Sequence, residues 1–275
     1  MLFLIIFSGI SRYNMKFSII TISYNSAKTI ERTIKSVLNQ IFPNVEYIIV
    51  DGASKDGTLD IVKQYEPLFE GRMKWMSEPD KGIYDAMNKG IRLATGDIIG
   101  IVNSDDWLEP DALDVVVKSF EKNGYERNAL YCGDIEFHYN NDEKKRMDAN
   151  IPLFKKNAFL WIMNGIRHPA TYVPKEVYEK IGLYNEKMKL SADQDFILRC
   201  HFQGIPFYHV NHVLSNMSAG GLSTDNSQNS LEASLHDRKI MLKENNIHGL
   251  KYLWLWYTWR VRVAISRLTK RLRNK

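Results

Sequence analysis

The sequence predicts an α/β fold built on a mainly parallel sheet, and three observations carry that reading. A strand-like run, a polar turn and an apolar pattern at helical spacing follow one another three times between residues 16 and 94. The strand runs are almost continuously apolar and β-branched, as a sheet covered on both faces requires. A fourth such run, Ile98 to Val102, is too short for a helix and is bounded by Gly96 and Asn103.

The first unit opens on KFSIITISY, Lys16 to Tyr24, after which Ile30, Ile34, Val37 and Leu38 share one helical face. Val45 to Val50 begins the second, with a helix from Thr58 to Tyr65, and Met73 to Met76 begins the third, with a helix from Ile83 to Ala94. A helix from Asp111 to Phe120 follows the fourth strand. Beyond residue 125 the rhythm becomes mixed, with strands at Ala129 to Phe137, Ala170 to Val173 and Pro206 to Val210. Helices are expected at Lys175 to Ile181 and Asp193 to Gln203, a polar loop at 218–230 and a polar helix at Leu231 to Glu244. No Pro-rich or Ser-rich linker separates the halves. Residues 16–230 therefore read as one domain, divided into 16–125 and 126–230, with an extension at 1–15 and C-terminal helices at 231–275.

The 275 residues, 44% apolar and 25% charged, support a substantial core and exclude a disordered, fibrous or disulfide-stapled chain. The net charge is +5, yet the eight Lys and Arg after residue 250 leave −3 for residues 1–250. A slightly acidic body excludes a nucleic-acid-binding face and gives the basic tail an anionic partner. Cys132 and Cys200 form no CxxC pattern and read as core fillers in a reduced, cytosolic setting. The apolar start, Leu2 to Phe7, makes about 14 Å of helix even when extended to Ile10, against a hydrocarbon core of about 30 Å. It is expected to be an extension upstream of Met15 and not a span.

Ligands of open parallel sheets bind at the carboxyl ends of the strands. Acids gather there: Asp51 ends the second strand, Glu78 and Asp80 follow the third, and Asp105 and Asp106 follow the fourth. Taken singly, such residues also serve as turn formers or helix caps. Together they repel one another unless protons, donors or a cation intervene, and their hard oxygens suit Mg²⁺ or Mn²⁺ with phosphate oxygens. Neither GxGxxG nor GxxxxGK[ST] occurs, so no dinucleotide fingerprint or Walker loop explains the cluster. A nucleotide would instead meet the backbone near Thr21 and Ser23, the loop from Tyr24, and carboxylates able to accept from a base N–H and ribose hydroxyls.

The runs FSIITISYNSAKTIERTIKSVLNQ, EYIIVDGASKDGT and SEPDKGIYDAMNKGIRLATGDIIGIVNSDDW resemble the inverting glycosyltransferases of family 2, with the Rossmann-like GT-A fold. RHPATYVPKEVYEKIGLYNE and SADQDFILR extend the resemblance to about Gln203. The most similar-looking members assemble bacterial O-antigen, capsule or exopolysaccharide. The resemblance implies a nucleotide-sugar donor, UDP-linked by family frequency, and Mn²⁺ or Mg²⁺. It makes 16–125 the nucleotide half and 126–230 the acceptor half.

By the same resemblance, Asp51 contacts the base and Asp80 shares its pocket. NSDD stands for the Asp-Xaa-Asp element, with Asn103 in front, Asp105 toward ribose and first phosphate, and Asp106 toward the metal. Neighbouring residues point oppositely, so which aspartate holds the ion stays open. Lys81 opens the third helix, with Tyr84 and Asn88 on a shared face near the donor or sheet edge. In SADQDF, Ala192 replaces the usual Glu, giving Asp193 as catalytic base and Asp195 in support. His168 falls near the acceptor, and Gly220, Gly221, Ser223 and Thr224 suit either a lid or a solvated loop.

In the tail, Leu253, Tyr257, Val261, Leu268 and Leu272 line one helical stripe amid basic residues and tryptophans. It is expected to lie on the cytoplasmic face of the inner membrane, where a lipid-linked acceptor would be met, or else to pack on the domain or form a homodimer. A sugar nucleotidyltransferase would need a Gly-rich basic first loop, which SYNSAK does not supply. A non-catalytic scaffold would be expected to lack Asp106 or Asp193.

Overall fold

The uniformly apolar runs form the centre of the sheet. In the computed structural model, which describes residues 15–139, 142–149, 151, 165–219, 228–246, 249 and 257, every residue of β1 (Phe17–Ser23) and β2 (Val45–Asp51) is buried. The two strands run parallel, in register from Phe17 opposite Val45 to Ser23 opposite Asp51. β3 (Met73–Ser77) adds in parallel to β2, and β4 (Ile98–Ile101) to β1.

The connecting helices α1 (Ile30–Leu38), α2 (Thr58–Tyr65) and α3 (Ile83–Leu93) cover both faces. Alternation along the strands divides the core. Ile20, Ile22, Ile48 and Val50 pack with α3, whereas Ile19, Tyr47 and Ile49 pack with α1, α2 and α4 (Ala112–Lys122). Contact with α3 is close enough that a Cβ at Gly90 would lie 2.4 Å from Ile20 Cγ2.

Parallel order ends at β4. β8 (Thr171–Pro174) runs antiparallel to both β4 and β6 (Leu130–His138), and β9 (Phe207–Ser218) lies parallel to β6. β5 (Trp107–Leu108) pairs antiparallel with β9, and β7 (Lys144–Met147) with β6, giving the order β3-β2-β1-β4-β8-β6-β9-β5 with β7 beside β6. Helices α5 (Lys175–Ile181), α6 (Ala192–Phe202) and α7 (Gln228–Glu244) complete the described elements. The α/β fold read from the sequence is the one observed.

Two boundaries differ from the sequence reading by more than two residues. β9 continues eight residues past Val210 because its buried polar groups find partners: Asn216 Nδ2 donates to Glu109 at 2.5 Å and Ser215 Oγ to the Trp107 carbonyl at 3.3 Å. α7 starts at Gln228, ahead of Leu231, and buries Met241 and Leu242 in the cluster that holds Ala192 and Phe196. The expected polar loop is thus shorter at both ends; Gly220, Gly221, Ser223 and Thr224 lie outside the described residues, as do the extension 1–14 and nearly all of the tail. Among the described residues, no helix is long and apolar enough to cross a membrane.

At the amino edge of the sheet, buried Glu46 accepts hydrogen bonds from Ser18 Oγ, Thr95 N and Oγ1, and Lys16 Nζ. Burial raises its carboxyl, but bonds from Ser18, Thr95 and Lys16 outweigh that and hold it at about 2. This edge lies opposite the acids at the carboxyl ends.

Candidate active site

Asp51, the last residue of β2, is fully buried. Its carboxylate accepts from Ser23 Oγ at 3.0 Å, Ser54 Oγ at 2.5 Å, Ser54 N at 2.9 Å and Ser77 Oγ at 2.7 Å. A carboxylate offers about four lone-pair sites, so its capacity is spent inside the protein. Thr21 Oγ1 likewise accepts from Tyr47 OH at 2.9 Å. The side chains of Thr21, Ser23 and Asp51 are thereby tied to one another or to the core, while the contact expected from the backbone near Thr21 and Ser23 does not depend on them.

The open chemistry of this edge lies one step outward. Tyr24 is 67% exposed. A Cβ at Gly52 would sit 2.5 Å from Asp80 Oδ2 and 3.3 Å from Tyr24 Cδ2, so only glycine lets the ring, the backbone edge and the carboxylate meet. Asp80 is half-buried and accepts from Gly82 N at 2.8 Å. Lys81 is exposed, and its backbone N–H donates to Asp85 Oδ2 at 3.0 Å.

After β4 the adjacent aspartates part company. Asp106 is 1% exposed and accepts from Ser218 N at 3.1 Å and Asn103 Nδ2 at 3.2 Å. Burial, and then the charge of Asp105, push its carboxyl up to about 7. Asp105 is half-buried, its carboxyl is raised by burial, and no hydrogen bond from another described residue reaches its carboxylate. Arg32 on α1 fixes this loop: its guanidinium lies 3.6 Å from the Trp107 ring centre and donates to the Asp105 carbonyl at 2.7 Å and Ser218 Oγ at 2.9 Å. Buried Asn103 Oδ1 has no partner among the described residues. Nothing in the spacing of the sequence pointed to Arg32, because its partners are 73 and 186 residues away.

The Asn103 amide oxygen and the Asp105 carboxylate are hard oxygen donors of the kind a divalent cation takes, whereas both Asp106 oxygens accept hydrogen bonds. Among the described residues, no three His, Cys, Asp or Glu side chains converge to hold an ion alone, so ligand oxygens would have to complete the set.

Asp193 stands in the first turn of α6, half-buried, and Tyr84 OH donates to its Oδ1 at 3.1 Å. Its second oxygen receives no hydrogen bond from the described residues. A pocket of about 10 Å³ beside it is lined by Ile101, His168, Tyr184 and Phe196. His168 Nε2 is buried there without a partner among the described residues; burial lowers the imidazole pKa and the Asp193 charge opposes that. Asp195 points elsewhere, to Arg199 Nε and Asn245 Nδ2, both at 2.9 Å. Two residues apart on a helix, the acids cannot share a face.

The shared face of Tyr84 and Asn88 turns toward residues 184–193, not toward the donor edge. Asn88 Nδ2 donates to the Tyr184 carbonyl at 2.9 Å and to Glu186 at 2.8 Å, and Asn88 Oδ1 accepts from Tyr184 N at 3.0 Å. These hydrogen bonds decide the direction of that face, while Tyr184, Asp193 and Phe196 line a pocket with Ile101 and Val173 beside it. Asp80 and Lys81 at its start and Tyr84 in its first turn link the nucleotide half to Asp193. Gly221 and Ser223 lie outside the described residues.

The chain thus combines an α/β sheet that bears acids at its carboxyl edge with a half-buried acid, Asp193, on a later helix. The model of the family described as Glycosyl transferase family 2 matches residues 18–181, and the chain belongs to that family. An uncharacterised glycosyltransferase of Mycobacterium tuberculosis (strain CDC 1551 / Oshkosh) is 35% identical over 184 residues, 66% of this chain and 67% of its own length. A PGL/p-HBAD biosynthesis glycosyltransferase of Mycobacterium bovis (strain BCG / Pasteur 1173P2) is 33% identical over 211 residues, 75% of this chain and 78% of its own. The fold is similar to that of S. aureus TarS, with a TM-score of 0.65 and 18% identity over 88% of this chain and 41% of the TarS chain. TarS 1-349 has also been solved in complex with UDP-GlcNAc, matching at a TM-score of 0.63 and 19% identity over 83% of this chain and 67% of that one. A mannosyltransferase of Pyrobaculum calidifontis, in complex with GDP-Man and Mn²⁺, matches with a TM-score of 0.61 and 16% identity over 93% of this chain and 76% of its own.

Proposed function

We propose that this glycosyltransferase moves a sugar from a nucleotide-diphosphate sugar, with UDP as the favoured nucleotide, to a hydroxyl of a glycan or lipid-linked oligosaccharide, inverting the anomeric configuration, in bacterial surface polysaccharide synthesis. The observation that carries this reading is Asp193: one oxygen is held by Tyr84, the other receives no hydrogen bond from the described residues, and the side chain shares a pocket with Ile101 at the carboxyl end of β4. The TarS complex with UDP-GlcNAc and the mannosyltransferase complex with GDP-Man support the donor class. The relative in glycolipid biosynthesis supports a lipid-linked or glycan acceptor.

In this reading Tyr24 supplies a stacking face for the base, and Asp80 accepts its N–H across Gly52. Asp51 shapes that pocket by fixing Ser23, Ser54 and Ser77. Asp105 and Asn103 Oδ1 would hold Mn²⁺ or Mg²⁺ together with diphosphate oxygens, while Asp106 fastens the loop to Ser218. The ion, when bound, supplies Lewis-acid neutralisation of the charge gathering on the diphosphate. The open oxygen of Asp193 takes the acceptor proton. The acceptor oxygen then bonds to the anomeric carbon from the face opposite the diphosphate, whose C–O bond breaks and takes the electron pair. Tyr84 donates to the carboxylate and fixes its plane.

Incubation with a panel of nucleotide sugars and Mn²⁺, with released nucleoside diphosphate measured, tests the function. Release from one sugar nucleotide, stimulated by a glycan or lipid-linked acceptor, is expected; no release from any overturns it. The basic tail is proposed to hold the enzyme on the cytoplasmic face of the inner membrane. Co-sedimentation with anionic vesicles should be lost on deleting residues 249–275, and equal binding would remove the idea.

A further inference from the structure

Among the fully buried carboxylates that the proposal above leaves unused is Asp237. Asp237, in the middle of α7, accepts from the backbone N–H groups of Lys189 (2.9 and 3.0 Å), Leu190 (2.6 Å) and Ser191 (2.9 Å). Those three residues lead straight into α6, whose second residue is Asp193. Ser191 is the N-cap of α6 and makes no side-chain capping bond. Asp237, 46 to 48 residues downstream, thus binds the turn that leads into α6 and the N-cap residue itself, and its charge lies near the positive pole of the helix.

Contacts further along reinforce the connection. Arg238 Nη2 donates to Gln194 Oε1, and Asn245 Nδ2 to Asp195 Oδ1, both at 2.9 Å. Segment 237–245 therefore grips residues 189–191 and 194–195, on either side of Asp193, while leaving Asp193 itself for Tyr84. Met241 and Leu242 seat this segment in the core beside Ala192 and Phe196. None of these hydrogen bonds reaches the loops after β1 to β4, where the proposed donor residues sit.

We propose that Asp237 is a positioning residue for transfer: by holding the 189–191 turn it sets the direction in which Asp193 leaves the first turn of α6. This rests on the reading of Asp193 as base. Asparagine at 237 keeps the size but turns an NH₂ toward N–H donors, so the turn must relax. Errors of about 1 Å at a reacting group can cost about 100-fold in rate.

The test uses Asp237→Asn and Asp237→Glu in the full chain, with the sugar nucleotide found active in the panel. Expected for Asp237→Asn are a kcat lower by about 10- to 100-fold, a donor KM and a UDP–Mn²⁺ affinity within about twofold of wild type, and faster amide exchange at 189–191. Asp237→Glu, which keeps the anion, should recover part of kcat. Faster exchange with kcat unchanged would show a merely structural contact and overturn the proposal, as would unchanged exchange or a loss confined to donor KM. Should Asp237→Asn fail to fold, Asn245→Ala cuts the strap to Asp195 instead. A kcat loss of about threefold or more at unchanged donor KM is expected there, and an unchanged kcat overturns the proposal. Full activity in Asp193→Asn would sink the base assignment separately, whatever Asp237 does.

Discussion

Asp51 and Asp193 both sit at the ligand-facing edge, yet their surroundings are opposite. Asp51 is sealed by hydrogen bonds from Ser23, Ser54 and Ser77, whereas Asp193 is half-buried and, among the described residues, receives one, from Tyr84. The described partners of the Asp51 carboxylate lie between residues 23 and 77; Asp193 is held from residue 84, and its helix from 181–183 and 237–245. In the first region an acid organises the strand ends and its reactivity is used up. In the second, distant parts of the chain bear the structural duty, and the acid keeps a free oxygen for chemistry.

Sharp contrasts between the two regions can be measured. The largest effect is expected from Asp193→Asn, which should lower kcat by about 10²- to 10⁴-fold and leave unfolding free energy within about 0.5 kcal/mol of wild type. Steady-state kinetics and urea titration check both halves of that statement. Asp51→Ala should do the reverse, costing about 3 kcal/mol of stability because it strands several buried donors at once. The contrast breaks if Asp51→Ala unfolds at the wild-type urea midpoint but no longer binds UDP in calorimetry. Tyr84→Phe removes one hydrogen bond to a charged group and should lower kcat by about 10-fold with donor KM unchanged.

The smallest effect is expected at the opposite edge of the sheet. Glu46 has a folded-state pKa of about 2 against its usual 4.5, so its contribution to stability is complete above about pH 4.5 and is lost as pH falls through that range toward 2. In Glu46→Gln the urea midpoint should be lower at pH 7 and should fall less between pH 4.5 and 2. A variant as acid-sensitive as wild type would show that other carboxylates carry that dependence.

The parallel core was legible because β1, β2 and β4 announce themselves by continuous β-branched residues between turn signals. The far half was less so. β9 hides Ser215 and Asn216 as polar letters whose partners are Trp107 and Glu109, and β5 is two residues long. At the site, motif order brought out Asp80, Asp105 and Asp193, but not their accessibility. The exhaustion of Asp51 by three serines and the sealing of Asp106 by Ser218 depend on side-chain direction, which spacing cannot give. Asp237 was invisible for a further reason: it sits on a helix that reads as polar all round, where a buried acid looks like any solvated one.

Ser218 bonds to Asp106 through its N–H, to the Asp105 carbonyl through its hydroxyl, and to Arg32. It joins residues from the first helix, the aspartate loop and the final strand in one knot. A hybrid enzyme spliced near residue 125 would inherit Arg32 and both aspartates from one parent and residue 218 from the other. Breakpoints that preserve this knot should yield working hybrids; those that mismatch it should fail even when each parental half is sound.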